Sequence, residues 1–227
     1  MIQKTKEKEE ALTLRRNGMS YSEILKRISV ARSTLSLWLR DVGLSQRQKQ
    51  CLTEKKLKGM ARGWANIRNR RIRKSEYIKE VARAEAEQLI IDPLWLTGVV
   101  LYWAEGGKER KWRTGEKVSF SNMEWRMHAI FLSWIFQYAG KGMNDLVFEI
   151  YIHESADIRL ARKYWSRLLK IKPIELRIYL KRKNNNPHRH NINNEYHGLL
   201  RICVRRSVDL NRKIAGWIEG VVQYFSK

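Results

Sequence analysis

Four short segments in the second half of the chain alternate strictly between apolar and polar residues. In KVSFS, Val118 and Phe120 oppose Lys117, Ser119 and Ser121. In FEIYIH, Phe148, Ile150 and Ile152 oppose Glu149, Tyr151 and His153. LRIYLK sets Leu176, Ile178 and Leu180 against Arg177, Tyr179 and Lys181, and LRICVR sets Leu200, Ile202 and Val204 against Arg201, Cys203 and Arg205. A period of two marks a strand with one buried and one open face. Such a sheet needs helices over its apolar side. MEWRMHAIFLSWIFQYA, ADIRLARKYWSRLLK and VDLNRKIAGWIEGVVQYF supply them, with Trp134, Trp165 and Trp217 on their apolar faces. The expected class is therefore α+β for this half.

The open face carries Arg, Lys, Tyr, Ser and His, with Glu149 as its single acid. A sheet that merely faces water usually mixes its charge signs. The whole chain has 46 Lys and Arg against 23 Asp and Glu, a formal charge of +23. An excess of that size points to a polyanionic partner, most simply nucleic acid. The alternative is a basic solvated surface of the ribosomal or thermophilic kind. On the first reading, Lys117, Ser119, Arg177, Tyr179, Lys181, Arg182, Lys183, Arg201 and Arg205 are the expected DNA contacts of the sheet. His153 is either a base or the cap of a turn. His188 and His190, in the Asn-rich stretch 181–197, have no cysteine neighbours and read as DNA contacts or solvated side chains.

Cys51 and Cys203 lie far apart without a CxxC spacing, which speaks for reduced thiols rather than a zinc site or a disulfide framework. The first residues lack the apolar core of a signal peptide, and the apolar run 94–104 is shorter than the roughly 20 residues of a membrane span. The expectation is a soluble, cytoplasmic, nucleoid-associated protein. No P-loop, GxGxxG or Ser-His-Asp arrangement is visible.

Residues 1–44 carry a different pattern. Ser20 and Glu23 form an S-x-x-E capping box, which starts a helix near Tyr21. Counting Tyr21 as position 1, apolar residues fall at positions 4, 8, 10, 15 and 18: Ile24, Ile28, Val30, Leu35 and Trp38. This segment resembles a helix-turn-helix. It departs from that pattern at Leu25, where a small residue is usual, and at Ser29, where glycine is usual. Gly43 is expected to cap the second helix, about 31–40. That helix would place Arg32, Ser33, Thr34, Ser36 and Arg40 toward base edges and phosphates. The alternative is a plain helical hairpin used for packing.

Residues 45–91 read as a basic helical linker. From Arg47 to Arg83 there are 13 Lys and Arg against 3 Glu. Contact with the phosphate backbone and simple solvation both account for this run.

Asp92-Pro93 opens the most apolar helix, which runs from Leu94 to Glu105 and stops at Gly106-Gly107. Small Thr97 and Gly98 permit close approach of another backbone. Glu105 stands at the negative end of the helix dipole, which disfavours an anion. A cation partner is implied, either a basic side chain or a metal.

The segment LTGVVLYWAEGGK resembles the motif helix of the LAGLIDADG homing endonucleases, and AEGGK, VSFSN, YIHES and GWIEG are similar to segments of relatives that join a helix-turn-helix to one such unit. WhiA-type sporulation regulators pair the two in the opposite order. Val100 stands where the family motif has glycine, and a helix at about 156–170 is extra. The resemblance covers about 92–225. It implies an αββαβαβα domain with an antiparallel sheet, spanning 92–227. It further implies a homodimer packed through Thr97, Gly98 and Leu101, with double-stranded DNA under the sheet. Glu105 would hold Mg²⁺ at the scissile phosphate. Lys181, at the end of its polar strand face, would then either stabilise charge there or make a simple phosphate contact. The function implied is a metal-dependent endonuclease. The alternatives are a non-cleaving transcriptional regulator with the same surface and an RNA-binding or structural nucleoprotein factor.

Overall fold

The computed structural model describes residues 4–110, 114–181 and 196–226. The chain divides into two units, Met1–Arg71 and Ile72–Lys227.

The first unit holds α1 (Thr5–Arg16), α2 (Tyr21–Leu25), α3 (Arg32–Trp38) and the first part of α4 (Gln46–Leu89). The capping box is formed: the Ser20 amide donates to Glu23 Oε2 at 2.8 Å and the Glu23 amide to Ser20 Oγ at 3.2 Å. Ala11, Ile24, Ile28, Leu35 and Leu39 make the core, with Val30 and Trp38 packed partly buried against it. The spacing of Ile24, Ile28 and Leu35 thus does what the sequence pattern requires. Gly43 does not cap α3. The helix ends earlier, with Leu39 as its C-cap, and Leu39 is buried in the core. A second reciprocal cap opens α4. The Ser45 amide donates to Gln48 Oε1 at 3.0 Å, and the Gln48 amide to Ser45 Oγ at 3.2 Å. Gln48 Nε2 also donates to the Arg16 carbonyl at 2.8 Å.

The segment expected as a basic helical linker, 45–91, holds one 44-residue helix, Gln46–Leu89, and both of its ends are put to use. Lys55 pairs with Glu23 at 2.9 Å in the first unit. In the second, Ala82 and Ala86 pack against α8 (Val208–Phe225) where that helix carries Gly216 and Gly220. A Cβ at Gly220 would lie 2.5 Å from Ala86 Cβ. Small residues on both helices let the backbones approach.

The rest of the second unit runs α5 (Pro93–Glu105), β1 (Ser119–Asn122), α6 (Trp125–Tyr138), β2 (Leu146–His153), α7 (Ile158–Leu169), β3 (Leu176–Lys181), β4 (Leu199–Val204) and α8. The class is α+β as expected, but the order is αβαβαββα rather than αββαβαβα. The sheet is mixed, in the order β1-β4-β2-β3, and β2 pairs with β3 in parallel. The wholly antiparallel sheet is therefore corrected. The reason is α7: a helix between two strands returns the chain to the starting end of the first, so the second runs the same way. β4 then inserts between β1 and β2, antiparallel to both.

The strand alternation holds. Val118, Phe120, Phe148, Ile150, Ile152, Leu176, Leu200, Ile202 and Val204 are buried on one side, with Trp95, Trp134, Trp165 and Trp217 from the helices. At the edge strand the pattern fades, and Leu180 is 53% exposed. Among the described residues no helix is long and apolar enough to cross a membrane.

Candidate nucleic-acid interface

On α3, Arg32, Ser33 and Ser36 are exposed, Arg40 is exposed just past the helix end, and Thr34 is half-buried. None of these side chains has a hydrogen-bond or ion-pair partner among the described residues. Leu35 and Leu39 hold the opposite side of the helix in the core.

The second candidate surface is the polar face of the sheet, on which no described helix packs. The register turns the alternating residues into rows. Ser121 pairs with Arg201, Arg201 with Glu149, and Glu149 with Arg177. The next row pairs Leu199 with Tyr151 and Tyr151 with Tyr179, and the last pairs His153 with Lys181. From β1 to β3 the face is about 14 Å wide at the usual strand spacing, close to the roughly 12 Å width of a B-DNA major groove.

Arg201 is held at the centre. Its Nε donates to Ser121 Oγ at 3.0 Å and its Nη1 to Tyr151 Oη at 3.0 Å, while the guanidinium stacks 4.5 Å over the Tyr151 ring. Tyr151 in turn donates to Glu149 Oε2 at 3.0 Å and stacks on Tyr179 at 5.0 Å. The single acid of this face is thus engaged by a neighbouring hydroxyl and flanked in register by two arginines. Partial burial, and then the bond to Glu149, push the Tyr151 phenol above its ordinary value. Burial, then the Glu149 charge, raise the Cys203 thiol to about 11. A depression beside this network is lined by Lys117, Ser119, Arg177, Arg201, Arg205 and the Thr114–Lys117 segment, among others.

His153 caps a turn, with Nδ1 2.9 Å from Ser155 Oγ. Lys117, Arg177, Tyr179, Lys181 and Arg205 are exposed, and Ser119 is half-buried. Arg182, Lys183, His188 and His190 lie outside the described residues. Ser121, Glu149 and Tyr151 belong to the network but were not singled out from sequence as contacts. The alternation had placed them on the right face; only the register shows that they converge on Arg201.

Glu105 is exposed at the last position of α5. Lys108, a possible partner, donates instead to the Trp103 carbonyl at 2.5 Å and so offsets the helix end. Glu105 has no ion-pair partner among the described residues. The two glycines after it are explained by β1. Gly106 bridges to Phe120 on the outer edge of that strand, and the Gly107 amide donates to the Ser119 carbonyl at 2.8 Å. Side chains there would collide: a Cβ at Gly107 would sit 2.4 Å from Ser119 Oγ. Tyr102 Oη, Asn211 Nδ2 and the Gly107 carbonyl then lock the turn, with Oη and Nδ2 both donating to that oxygen.

This places Glu105 beyond β1 and Lys181 on β3, at opposite edges of the sheet. Four strand spacings of about 4.8 Å put them roughly 19 Å apart, so one chain does not bring them to a common phosphate. Nor do the described residues supply a metal site alone. Among the described residues no group of three or more His, Cys, Asp and Glu could hold an ion, and a lone carboxylate does not fit a magnesium centre without further oxygen ligands.

Gly98 is buried beneath α6, and a Cβ there would lie 2.1 Å from Trp134 Cγ. The close approach that its small size allows is made within the chain. Leu101 is half-buried, and Thr97 is exposed beside Val100 and Ala104.

No family profile matches the chain, and no curated protein or solved structure matches it either.

Proposed function

We propose that this protein binds double-stranded DNA in a sequence-dependent way, as a homodimer. The polar sheet face and α3 are its reading surfaces, with α2 and α3 acting as a helix-turn-helix. The observation that carries this is Arg201. Ser121, Tyr151 and the Tyr151 ring fix its guanidinium on an otherwise open face, so little side-chain entropy remains to be lost when it meets a base edge. Arg177 and Tyr179 stand beside it within reach of the same ligand. The two copies meet through the solvent side of α5, where Thr97, Val100 and Ala104 recur at spacings of three and four residues. Gly98 is occupied by Trp134 and takes no part.

The test is selection of binding sites from fragmented genomic DNA, followed by affinity measurements on the selected duplex. Arg201→Gln should weaken that duplex by roughly ten- to a hundredfold, the size of a lost bidentate base contact, and narrow the gap to random DNA. An equal loss on selected and random duplexes would reduce Arg201 to a phosphate contact.

A second reading is metal-dependent cleavage of the bound DNA, in the manner of the LAGLIDADG endonucleases. It is favoured by one observation: an exposed, unpaired carboxylate kept at the negative end of α5. Glu105 would be the ligand each copy offers to a divalent metal, which would supply charge neutralisation at phosphate. New DNA ends that need Mg²⁺ or Mn²⁺ and vanish in Glu105→Gln would support it. Selected binding without ends under either metal leaves the regulator.

A further inference from the structure

α7 lies on the helical side of the sheet, away from the polar face. Ala161 and Trp165 anchor it in the core. Its other side carries Arg159, Arg162, Lys163, Arg167 and Lys170, continued by Lys172, with no acid from Ile158 to Ile174. None of the six takes part in an ion pair among the described residues.

That isolation is unlike the seam between α4 and α8. Where α4 and α8 meet, cations are matched: Arg83 with Glu219 at 2.6 Å, Lys213 with Glu85 at 2.9 Å, and Lys74 with Asp209 at 2.5 Å. On α7, Arg159 faces Arg162 and Lys163 three and four residues on, and Lys163 faces Arg167. Each like-charge pair at that spacing is destabilising. The helix dipole accounts for Arg167 and Lys170 near the C-terminus, but it opposes Arg159 in the first turn, where the N-cap carboxylate of Asp157 offers it a partial electrostatic offset. A groove lined by Arg159, Arg162, Lys163, Ser166, Arg167 and Pro173 opens between these side chains. Arg162 lines it, and the Nε of that side chain is buried without a hydrogen-bond acceptor, which costs free energy. Ser166 is already committed, its hydroxyl donating to the Ile171 carbonyl at 2.5 Å. What the groove lacks is anionic oxygen.

We infer that the α7 groove is a second nucleic-acid site, which takes the phosphodiester backbone without regard to sequence. It faces away from the polar sheet surface, so the segment it holds is a different one. It engages either a distal part of a long duplex that bends around the domain or a second molecule. A lipid surface fits less well, because Ala161 and Trp165 are spent in the core and what stands exposed beside the groove is Leu160 and Ile174, two side chains rather than a continuous apolar face. This reading stands whether or not the polar face binds DNA.

The experiment uses the full chain with Arg159→Gln, Arg162→Gln and Lys163→Gln combined, beside Arg201→Gln. Affinity for random-sequence duplexes of 20 and 60 base pairs is measured across a salt series. The triple variant should lower the salt slope on the 60-base-pair duplex by about 2 to 3, since each lost phosphate contact removes about 0.9. Its affinity there should fall about tenfold or more, with the melting temperature unchanged or raised. An unchanged slope in a folded triple variant overturns the groove. So does a variant that loses only anionic-vesicle or acidic-protein binding. A normal Arg201→Gln variant with a reduced slope in the triple would refute the sheet reading and leave the groove standing.

Discussion

Replacing Gly98 by alanine adds one methyl group where Trp134 already sits. The new Cβ would lie 2.1 Å from Cγ, 2.3 Å from Cδ1 and 2.6 Å from Cδ2 of the indole. Ordinary carbon contacts are about 3.5–4.0 Å, so α5 or the ring must move by about 1.5 Å. The ring has nowhere to go. It is 1% exposed and packed among Tyr102, Phe131 and Trp217, with centroids 6.1, 6.0 and 5.9 Å away. Overpacking of this kind costs about 1–3 kcal/mol, and a boxed-in ring belongs at the upper end. Alanine returns about 1 kcal/mol of helix propensity. The net loss is about 2 kcal/mol, or a urea midpoint lower by about 1 M for an m-value near 2 kcal/mol/M. The assay is urea unfolding followed by far-ultraviolet circular dichroism. The same substitution in a Trp134→Leu background should be neutral or stabilising, because the ring it strikes is gone. A single Gly98→Ala that raises the midpoint would refute the reasoning, as would equal losses in both backgrounds. A loss that shrinks with rising protein concentration would point instead to a contact made by a second copy.

His128 is fully buried, its ring between Phe120 and Trp165, with Nε2 donating to the Asn122 carbonyl at 3.1 Å. Burial holds it at about 4 against 6.5. The neutral ring is the folded form, so its contribution is complete above pH 6.5 and is lost as pH falls through 4. That gap amounts to about 3 kcal/mol, and His128→Gln should flatten the stability profile between those values. Glu23 is held at about 2, chiefly by Lys55 and then by Ser20. Its contribution is present above pH 4.5 and fades toward pH 2. The protection of the Ser20 and Glu23 amides against hydrogen exchange, relative to the free-peptide rate at each pH, should therefore fall over that window in wild type and not in Glu23→Gln. Cys51 is exposed, whereas the Cys203 thiol is raised to about 11. A thiol reagent at pH 8 should modify Cys51 quickly and the half-buried Cys203 much more slowly.

Much of the sheet was legible because its signal is local. Ile150 and Glu149 declare their faces through their immediate neighbours, and the buried side of β2 was assigned residue by residue. The Ser20–Glu23 cap was legible for the same reason, since both partners lie within one turn. The neighbouring Ser45–Gln48 cap has the related S-x-x-Q form and is just as local. The candidate site was half legible. Arg201, Arg177 and Tyr179 were named from their side of the strand, but Ser121 and Tyr151 were not tied to Arg201, because no spacing in sequence encodes which strands are neighbours.

The chain's own residues determined the class of the second unit, the apolar and polar sides of each strand, the helix starts at Ser20 and Asp92, and the excess of positive charge. These depend on contacts within a few residues or on composition alone. Only the tertiary structure decided that β3 runs parallel to β2, that Gly98 belongs to Trp134, that Glu105 and Lys181 stand at opposite edges of the sheet, and that the cations of α7 gather around an open groove without acids. Each of these depends on which distant segments pack together, a choice made by the whole core at once rather than by any one stretch of chain.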